Sequence, residues 1–400
     1  MSEALRHYRR GFVEACLACA PPGARAWVSR LEEVASEVVA RHAPEADRGR
    51  AYPSASVSAL KEVETFGVGA SRGVGGLGFG DGVAALAVET IAASCPSTAA
   101  ILMFHTQVLQ RVECFAGGAR QREELPRLAS GEWLASSAWS ERGAGADKSG
   151  MKTRMDGEPG RWVIDGEKHY CTGLEGATLI HVLLGARDAE GKFAPTFVRV
   201  RAGAKGVDTR EVYELMGLRG SSTGTVRLEG AAADEEDVIG GVGRGMALMQ
   251  ANHRTLMNPG LLSLGIARAA YEQVKEMVAG GWGGMRPTTG YQHTRFVLAD
   301  LEVKLGSAYA YAAQAVNYMN AGLPDLHVEC SKVKMLASLA AAEVTSAAMQ
   351  LAGSRAFTAD CPLERHFRDA RATLLMGPTN ELIKERIAAQ ILAEYGTGVN

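Results

Sequence analysis

Only a few side chains in this 400-residue sequence have a type and local setting suited to proton transfer or ligand chemistry. His253 lies in Gln250-Ala251-Asn252-His253-Arg254-Thr255-Leu256, a stretch without Asp or Glu, and its imidazole has a pKa suited to removing a proton near neutrality. A histidine that caps or pairs on a helix is the structural reading beside it. Tyr170 and Thr172 are two residues apart in Gly166-Glu167-Lys168-His169-Tyr170-Cys171-Thr172-Gly173, a spacing that puts a ring and a hydroxyl on one face of a strand. Cys16 and Cys19 form a C-x-x-C, but no second pair is near and both fall in an Ala- and Leu-rich run. Two buried helix cysteines are expected there, and no metal site. Gly73-Val74-Gly75-Gly76-Leu77-Gly78-Phe79-Gly80 is too glycine-dense for a helix. It lacks both the following Lys-Ser/Thr and the preceding strand of a phosphate-binding loop, so a structural turn is expected.

The elements that position these residues follow from periodicity. Through Phe115, apolar residues recur at three- and four-residue steps, as in Trp27, Leu31, Val34 and Val38, then Val57, Leu60 and Val63, which predicts helices. From about Trp133 to Gly240 the pattern changes to short β-rich pieces such as Trp162–Asp165, Thr178–Leu184 and Thr196–Val200, separated by Gly and Asp turns. After Gly245 long helical segments return, over Leu261–Val278, Gln292–Met319 and Val328–Leu351. This α, β, α succession divides into a helical unit over 1–132, a β domain over 133–240 and a helical bundle over 241–400.

Hydrophobic residues make up 46% and charged residues 22% of the chain, which is enough for a large buried core. A formal net charge of −2 with both signs interspersed argues against nucleic-acid binding and against a polybasic membrane contact. Charge or glycine interrupts the apolar runs, so no membrane span is expected. Seven cysteines without framework spacing suit a reducing, cytoplasmic setting.

Several segments in order carry a resemblance. Leu363-Glu364-Arg365-His366-Phe367-Arg368-Asp369-Ala370-Arg371 and the following Leu375-Met376-Gly377-Pro378-Thr379-Asn380-Glu381 resemble the C-terminal E-R-x-x-R-D-A and Y-E-G-T-S-E segments of the acyl-CoA dehydrogenase family. Ser140-Glu141-Arg142-Gly143-Ala144-Gly145-Ala146-Asp147 resembles that family's T-E-P-G-A-G-S-D, and Gly166–Gly173 resembles G-x-K-x-W-I-T-N. Further likenesses are Gly217–Thr223 to G-x-R-x-S-x-T, Leu264-Gly265-Ile266-Ala267 to L-G-I-A, and Gln350-Leu351-Ala352-Gly353 to Q-x-x-G-G.

The resemblance implies an acyl-CoA dehydrogenase-like fold: an α-helical N-terminal domain, a central β-barrel domain and a C-terminal four-helix bundle, assembled as a homodimer or homotetramer. It implies FAD as cofactor and an acyl thioester, carried on CoA or a carrier protein, as substrate. By position, Trp139, Ser140, Tyr170, Thr172, Gln350, Gly353, Thr379 and Glu381 inherit cofactor contacts. Arg254, Met376 and Gly377 fall at substrate-facing places. Tyr170 would pack on the flavin ring, Thr172 would bond near its reactive nitrogen, and the Gln350 segment would reach a neighbouring subunit's cofactor.

Three departures bear on the chemistry. Gly377 occupies the family's usual glutamate position and cannot accept a proton, which leaves His253 as the candidate base. The R-x-x-F pair that serves the cofactor pyrophosphate is replaced by Gly280-Gly281-Trp282-Gly283-Gly284-Met285-Arg286-Pro287, and the phosphate-side serine is Ala146; Arg286 or Arg355 would have to supply the charge. The glycine density of that loop implies mobility. The resulting expectation is a flavin oxidoreductase performing α,β-dehydrogenation of an acyl thioester or a variant of it. The alternatives are a flavin monooxygenase, a non-oxidative desulfinase-like enzyme, or a homologue that has lost turnover.

Overall fold

In the computed structural model the described residues are 7–115, 117–143, 150–158, 160–188, 190–281, 286–324 and 326–393; of 253–256 only the backbone is described. The first third is helical: α1 (His7–Leu17), α2 (Ala24–Val34), α3 (Ala40–Gly49), α4 (Ser54–Glu62), α5 (Gly80–Ser94), α6 (Pro96–Phe115) and α7 (Ala119–Ala129). A π-helical turn over Ala35–Val39 joins α2 to α3, and Val28, Leu31, Ala35, Val39 and Ala43 form one buried stripe along the combined rod.

α5 is apolar on all sides and buried from Gly82 to Ala92, packed among α1, α6 and the bundle. Its one acidic core residue, Glu89, is fully buried and held by Arg9 (2.8 Å), Arg268 (2.6 Å) and the Tyr309 hydroxyl (2.5 Å). Burial opposes the charge, but Arg268 and Arg9 outweigh it and draw the carboxyl down to about 2. This network fastens the N-terminal helices to the bundle.

The glycine-rich stretch is a structural turn. The amides of Gly75, Gly76, Leu77, Gly78 and Phe79 all donate to carbonyls of residues 67–72. Gly76 packs so closely on the Ala70 backbone that a Cβ would clash. Its amides are thus committed within the loop, leaving no phosphate cradle.

The central strands are β1 (Leu134–Ala138), β2 (Arg154–Glu158), β3 (Arg161–Cys171), β4 (Ala177–Arg187), β5 (Phe193–Arg201), β6 (Val207–Asp208), β7 (Gly224–Ala233) and β8 (Val238–Ile239). They form one eight-stranded sheet in the order β6-β7-β3-β2-β4-β5-β8, with β1 lying parallel to β4. One face carries its own core of Ile164, Ile180, Val182, Val198, Val226 and Leu228. The other faces α6, which packs against β1.

The C-terminal part comprises α8 (Gly245–Ala251), α9 (His253–Gly280), α10 (Gln292–Asn320), α11 (Leu326–Ala352), α12 (Pro362–Leu375) and α13 (Asn380–Ala393). α9 to α12 make the bundle, and Gly260 lets α9 approach α11 so closely that a Cβ there would come within 2.8 Å of the Lys334 Cα.

Two expectations change. Cys16 is buried in α1, but Cys19 lies beyond the end of that helix and is exposed, because the chain turns toward Pro21-Pro22 before another helical turn can cover it. By length and composition α11 reaches the threshold of a membrane span; its apolar character reflects an Ala-rich helix packed against α9, α10 and α12.

Candidate functional site

The candidate residues fall into a sheet-side group, a bundle-side turn and a third segment at the end of α11. On the sheet side, β1 and β3 bring four of them together. The His169 amide donates to the Ser140 carbonyl at 2.8 Å, which ties the chain just past Trp139 to the end of β3. The Ser136 hydroxyl donates to the Thr172 carbonyl at 2.6 Å from the other end of β1.

Between these ties β3 is irregular, its pairing with β7 shifting between Lys168 and Cys171. There Tyr170 takes a φ of +58°, a left-handed conformation that costs a bulky residue, and its ring stands 67% exposed with an edge on Tyr213 at 5.3 Å. A strained backbone that holds an aromatic ring out of the core is the arrangement expected where a ring awaits a partner.

Thr172, by contrast, is buried. Its hydroxyl lies 2.9 Å from that of Thr223, which lies 2.8 Å from the Ser221 hydroxyl. Three hydroxyls in series can reverse their donor direction together, so Thr172 is able to present either a proton or a lone pair. Ser221, Thr223 and Ser136 were not among the residues singled out from the sequence, although the Gly217–Thr223 resemblance covers two of them. Below this group the Lys168 ammonium is buried against Glu141 at 2.6 Å. Burial would raise the glutamate, but bonds from the Lys152 amide and Lys168 bring it down to about 2.

The bundle-side turn, Met376 to Thr379, connects α12 to α13. Asn380 anchors it from below: its Oδ1 accepts from Lys334 Nζ on α11 at 2.9 Å, and its Nδ2 donates to the Ser338 hydroxyl at 3.1 Å. Burial lowers the Lys334 ammonium to about 8, partly opposed by Glu381. Met376 packs on the helical core, while Gly377 and Glu381 are exposed. A Cβ added at Gly377 would meet nothing within 4 Å among the described residues, so the glycine is not required there by close packing at Cβ.

The two groups are linked through residues 217–223. Thr223 bonds to Thr172, and the Leu218 amide donates to Asp369 Oδ1 of α12 at 2.6 Å. Gly217 lies against the Arg368 backbone where no Cβ fits, and Arg368 is paired with Asp47 at 2.6 Å. Burial raises the Asp369 carboxyl to about 6 despite the Leu218 amide and Arg365.

Gln350 and Gly353 are not brought to the turn. They lie at the exposed end of α11, and at 1.5 Å per residue Gln350 is about 24 Å along the axis from Lys334, the residue that holds the turn. His253 opens α9 with Arg254 behind it, but both side chains lie outside the described residues, as do Ala144–Asp147 and Trp282–Met285 entirely. Arg286 is exposed, and Arg355 is paired with Asp360 at 2.5 Å.

This combination of a helical unit, a central sheet and a helical bundle, with the hydroxyl series and the C-terminal turn in the positions described, defines a class. Residues 22–132 match the acyl-CoA dehydrogenase N-terminal domain, 136–231 the middle domain and 243–392 the C-terminal domain. The chain belongs to the acyl-CoA dehydrogenase family.

Among its relatives, an acryloyl-CoA reductase (NADH) of Anaerotignum propionicum is 28% identical over 369 residues, covering 90% of each chain. A short-chain specific acyl-CoA dehydrogenase of Clostridium acetobutylicum is 28% identical over 365 residues, covering 90% of this chain and 96% of the relative. The structure of butyryl-CoA dehydrogenase from Megasphaera elsdenii superposes with a TM-score of 0.87 at 23% identity, over 93% of this chain and 98% of that one.

Proposed function

We propose that the protein is a flavin-dependent oxidoreductase acting on an acyl thioester, carried on CoA or on a carrier protein. The observation that carries this reading is the pairing of an exposed, backbone-strained Tyr170 with the buried Thr172–Thr223–Ser221 hydroxyl series at the end of one strand. An exposed aromatic face suits contact with a flat ring system, and a reversible hydroxyl suits a ring nitrogen that changes protonation during turnover. When bound, the flavin supplies the acceptor for the hydrogen leaving the substrate's β-carbon.

The remaining steps belong to the chain. Trp139, Ser140, Tyr170 and Thr172 hold the cofactor on the sheet side, while Thr379 and Glu381 hold it on the turn side. Met376 and Gly377 border the acyl group, with Arg254 near the thioester. His253 removes the α-proton in place of the glutamate that Gly377 lacks, a role supported by its position at the start of α9 and by imidazole's ordinary titration range. Gln350 and Gly353 serve the cofactor of a second copy, which agrees with their distance from the turn and implies a homodimer or homotetramer. The domain division is 1–132, 133–240 and 241–400, and the odd, unframed set of cysteines suits a cytoplasmic setting.

The open space at Gly377 gives specific support to a second reading, in which the same site runs an oxygen-dependent or eliminating variant that needs no strong base at the turn. The test is His253→Ala assayed with acyl-CoA and an artificial electron acceptor. A fall of about 100-fold in kcat with the flavin still bound is expected for loss of a general base. Unchanged turnover would remove His253 from the mechanism. Product formed without any acceptor would favour the second reading.

A further inference from the structure

Between α6 and the sheet lies a cluster of buried polar groups that none of the roles above uses as a unit. Arg111 on α6 is wholly buried, and its Nη1 donates to His181 Nδ1 on β4 at 3.1 Å. Because a guanidinium can only donate, His181 must accept at Nδ1 and carry its proton on Nε2. Burial and the neighbouring arginines hold His181 well below its ordinary pKa, consistent with a neutral ring.

The Arg111 plane lies over the Phe197 ring at 4.0 Å and beside Trp139 at 5.5 Å. Its Nε and Nη2 have no partner, and His181 Nε2, Trp139 Nε1 and Ser137 Oγ are likewise buried and unpaired. Ser137 is the register partner of His181 across the parallel β1–β4 pair, which puts the two side chains on one face.

The pattern is selective. Nε and Nη2 form one edge of the guanidinium, the fork that takes a planar two-oxygen group in bidentate fashion. The other unpaired hydrogens, on His181, Trp139 and Ser137, are all donors as well. Arg199, the next arginine on that sheet face, has its charge answered by Glu124 at 2.8 Å and Asp237 at 3.1 Å even though its Nε makes no hydrogen bond, whereas Arg111 has no carboxylate partner and burial lowers it to about 9. The layer thus holds a buried positive charge and several unpaired donors, with no carboxylate paired to Arg111 among the described residues.

We propose that this layer is a receiving site for a carboxylate, gripped by the Nε/Nη2 edge of Arg111 and capped by Trp139, His181 and Ser137. Trp139 also belongs to the candidate catalytic group, and Ser136, next to Ser137, holds the Thr172 carbonyl. Because consecutive strand residues point to opposite faces, the layer lies on the α6 side of β1 while Ser136 holds the Thr172 carbonyl from the other side, and Trp139 is the residue the two sites share. Its occupant is either a small free carboxylate or the carboxylate end of an acyl group; the second source rests on the thioester reading above.

The experiment has two arms, both on the full-length protein as purified. In the first, thermal unfolding is followed against potassium acetate, with potassium chloride at equal ionic strength as control. The expected result is a saturable, acetate-specific rise in Tm that is lost in Arg111→Met and weakened at least tenfold in affinity in Arg111→Lys, which keeps the charge but not the fork. Should Arg111→Met fail to fold, Arg111→Lys and Ser137→Val carry the comparison, and each is expected to weaken acetate.

In the second arm, KM for succinyl-CoA is compared with that for butyryl-CoA. An Arg111-dependent preference of tenfold or more for succinyl-CoA identifies the acyl end as the source, and an acetate effect without that preference identifies a free anion. If acetate acts no differently from chloride and neither substrate depends on Arg111, the layer holds only water, for which the unpaired Gln107 Oε1 one turn earlier would serve as acceptor, and the proposal is overturned. Absence of turnover with every thioester, alongside a positive acetate arm, would fault the thioester reading and leave the carboxylate site standing.

Discussion

The sheet side and the turn side of the candidate site are built in opposite ways. On the sheet side, Ser136, Ser140, Thr172, Ser221 and Thr223 are joined by hydrogen bonds to one another or to adjoining backbone, and a strained Tyr170 is held out of the core. On the turn side the anchoring lies underneath, in Lys334, Ser338 and Asn380, while the position that would carry a carboxylate in relatives is an exposed glycine with open space around it. A side chain can be lost from a turn without disturbing packing, whereas removing one hydroxyl from a buried series leaves its neighbours unsatisfied. The sheet side, proposed to face the cofactor, is thus constrained by folding, and the turn side is freer to vary.

Thr172→Val attacks the constrained half and should have the largest effect. If its hydroxyl serves the flavin as proposed, its loss is expected to lower kcat by roughly 100-fold, about 3 kcal/mol of transition-state stabilisation. Unfolding stability should fall by only about 1 kcal/mol, since Thr223 keeps its bond to Ser221. Equal losses in both measurements would mean that the hydroxyl series is structural only.

Gly377→Glu probes the free half. Because a Cβ there meets nothing within 4 Å and the position is exposed, stability should change by less than about 0.5 kcal/mol. In a His253→Ala background it should restore about tenfold of the lost dehydrogenation, read with an artificial acceptor. No recovery in a well-folded double variant would show that the turn does not face the substrate's α-carbon.

The link between the halves should show itself in pH dependence. The folded-state pKa of Asp369 is raised from 3.8 to about 6 by burial, so the folded chain holds this proton more tightly than the unfolded chain does. Its contribution is fully present below about pH 4 and is lost as pH rises toward 6, at most about 3 kcal/mol. Asp369→Asn keeps an acceptor for the Leu218 amide, and the slope of urea stability between pH 4 and 6 should flatten. An unchanged slope would assign that titration to another group.

Much of this was legible in the sequence because it rests on ordered motifs and long periodic segments. The helices over 261–278, 292–319 and 328–351 and the strands around residues 162, 180 and 198 lie where hydrophobic spacing puts them. The hydroxyl partners of Thr172 were not, since Thr223 is 51 residues away and meets it through the irregular β3–β7 pairing. Nor does the spacing reveal that Arg111 and His181, 70 residues apart, share a buried layer, because that depends on how α6 crosses β4. Cys19 misled for a local reason: helical composition continued up to the chain's turn at Pro21-Pro22. Gly377 was visible at once, but that a Cβ there would have open space around it required the structure.

The most direct test of flavin chemistry on a thioester is the visible spectrum of the purified protein, reconstituted with FAD and titrated anaerobically with butyryl-CoA. The expected result is a bound-flavin band that bleaches on substrate addition in the wild type, and far more slowly in Thr172→Val. A protein that takes up no flavin, or one whose flavin stays oxidised with every acyl thioester and also fails to react with oxygen when supplied reduced, would contradict it.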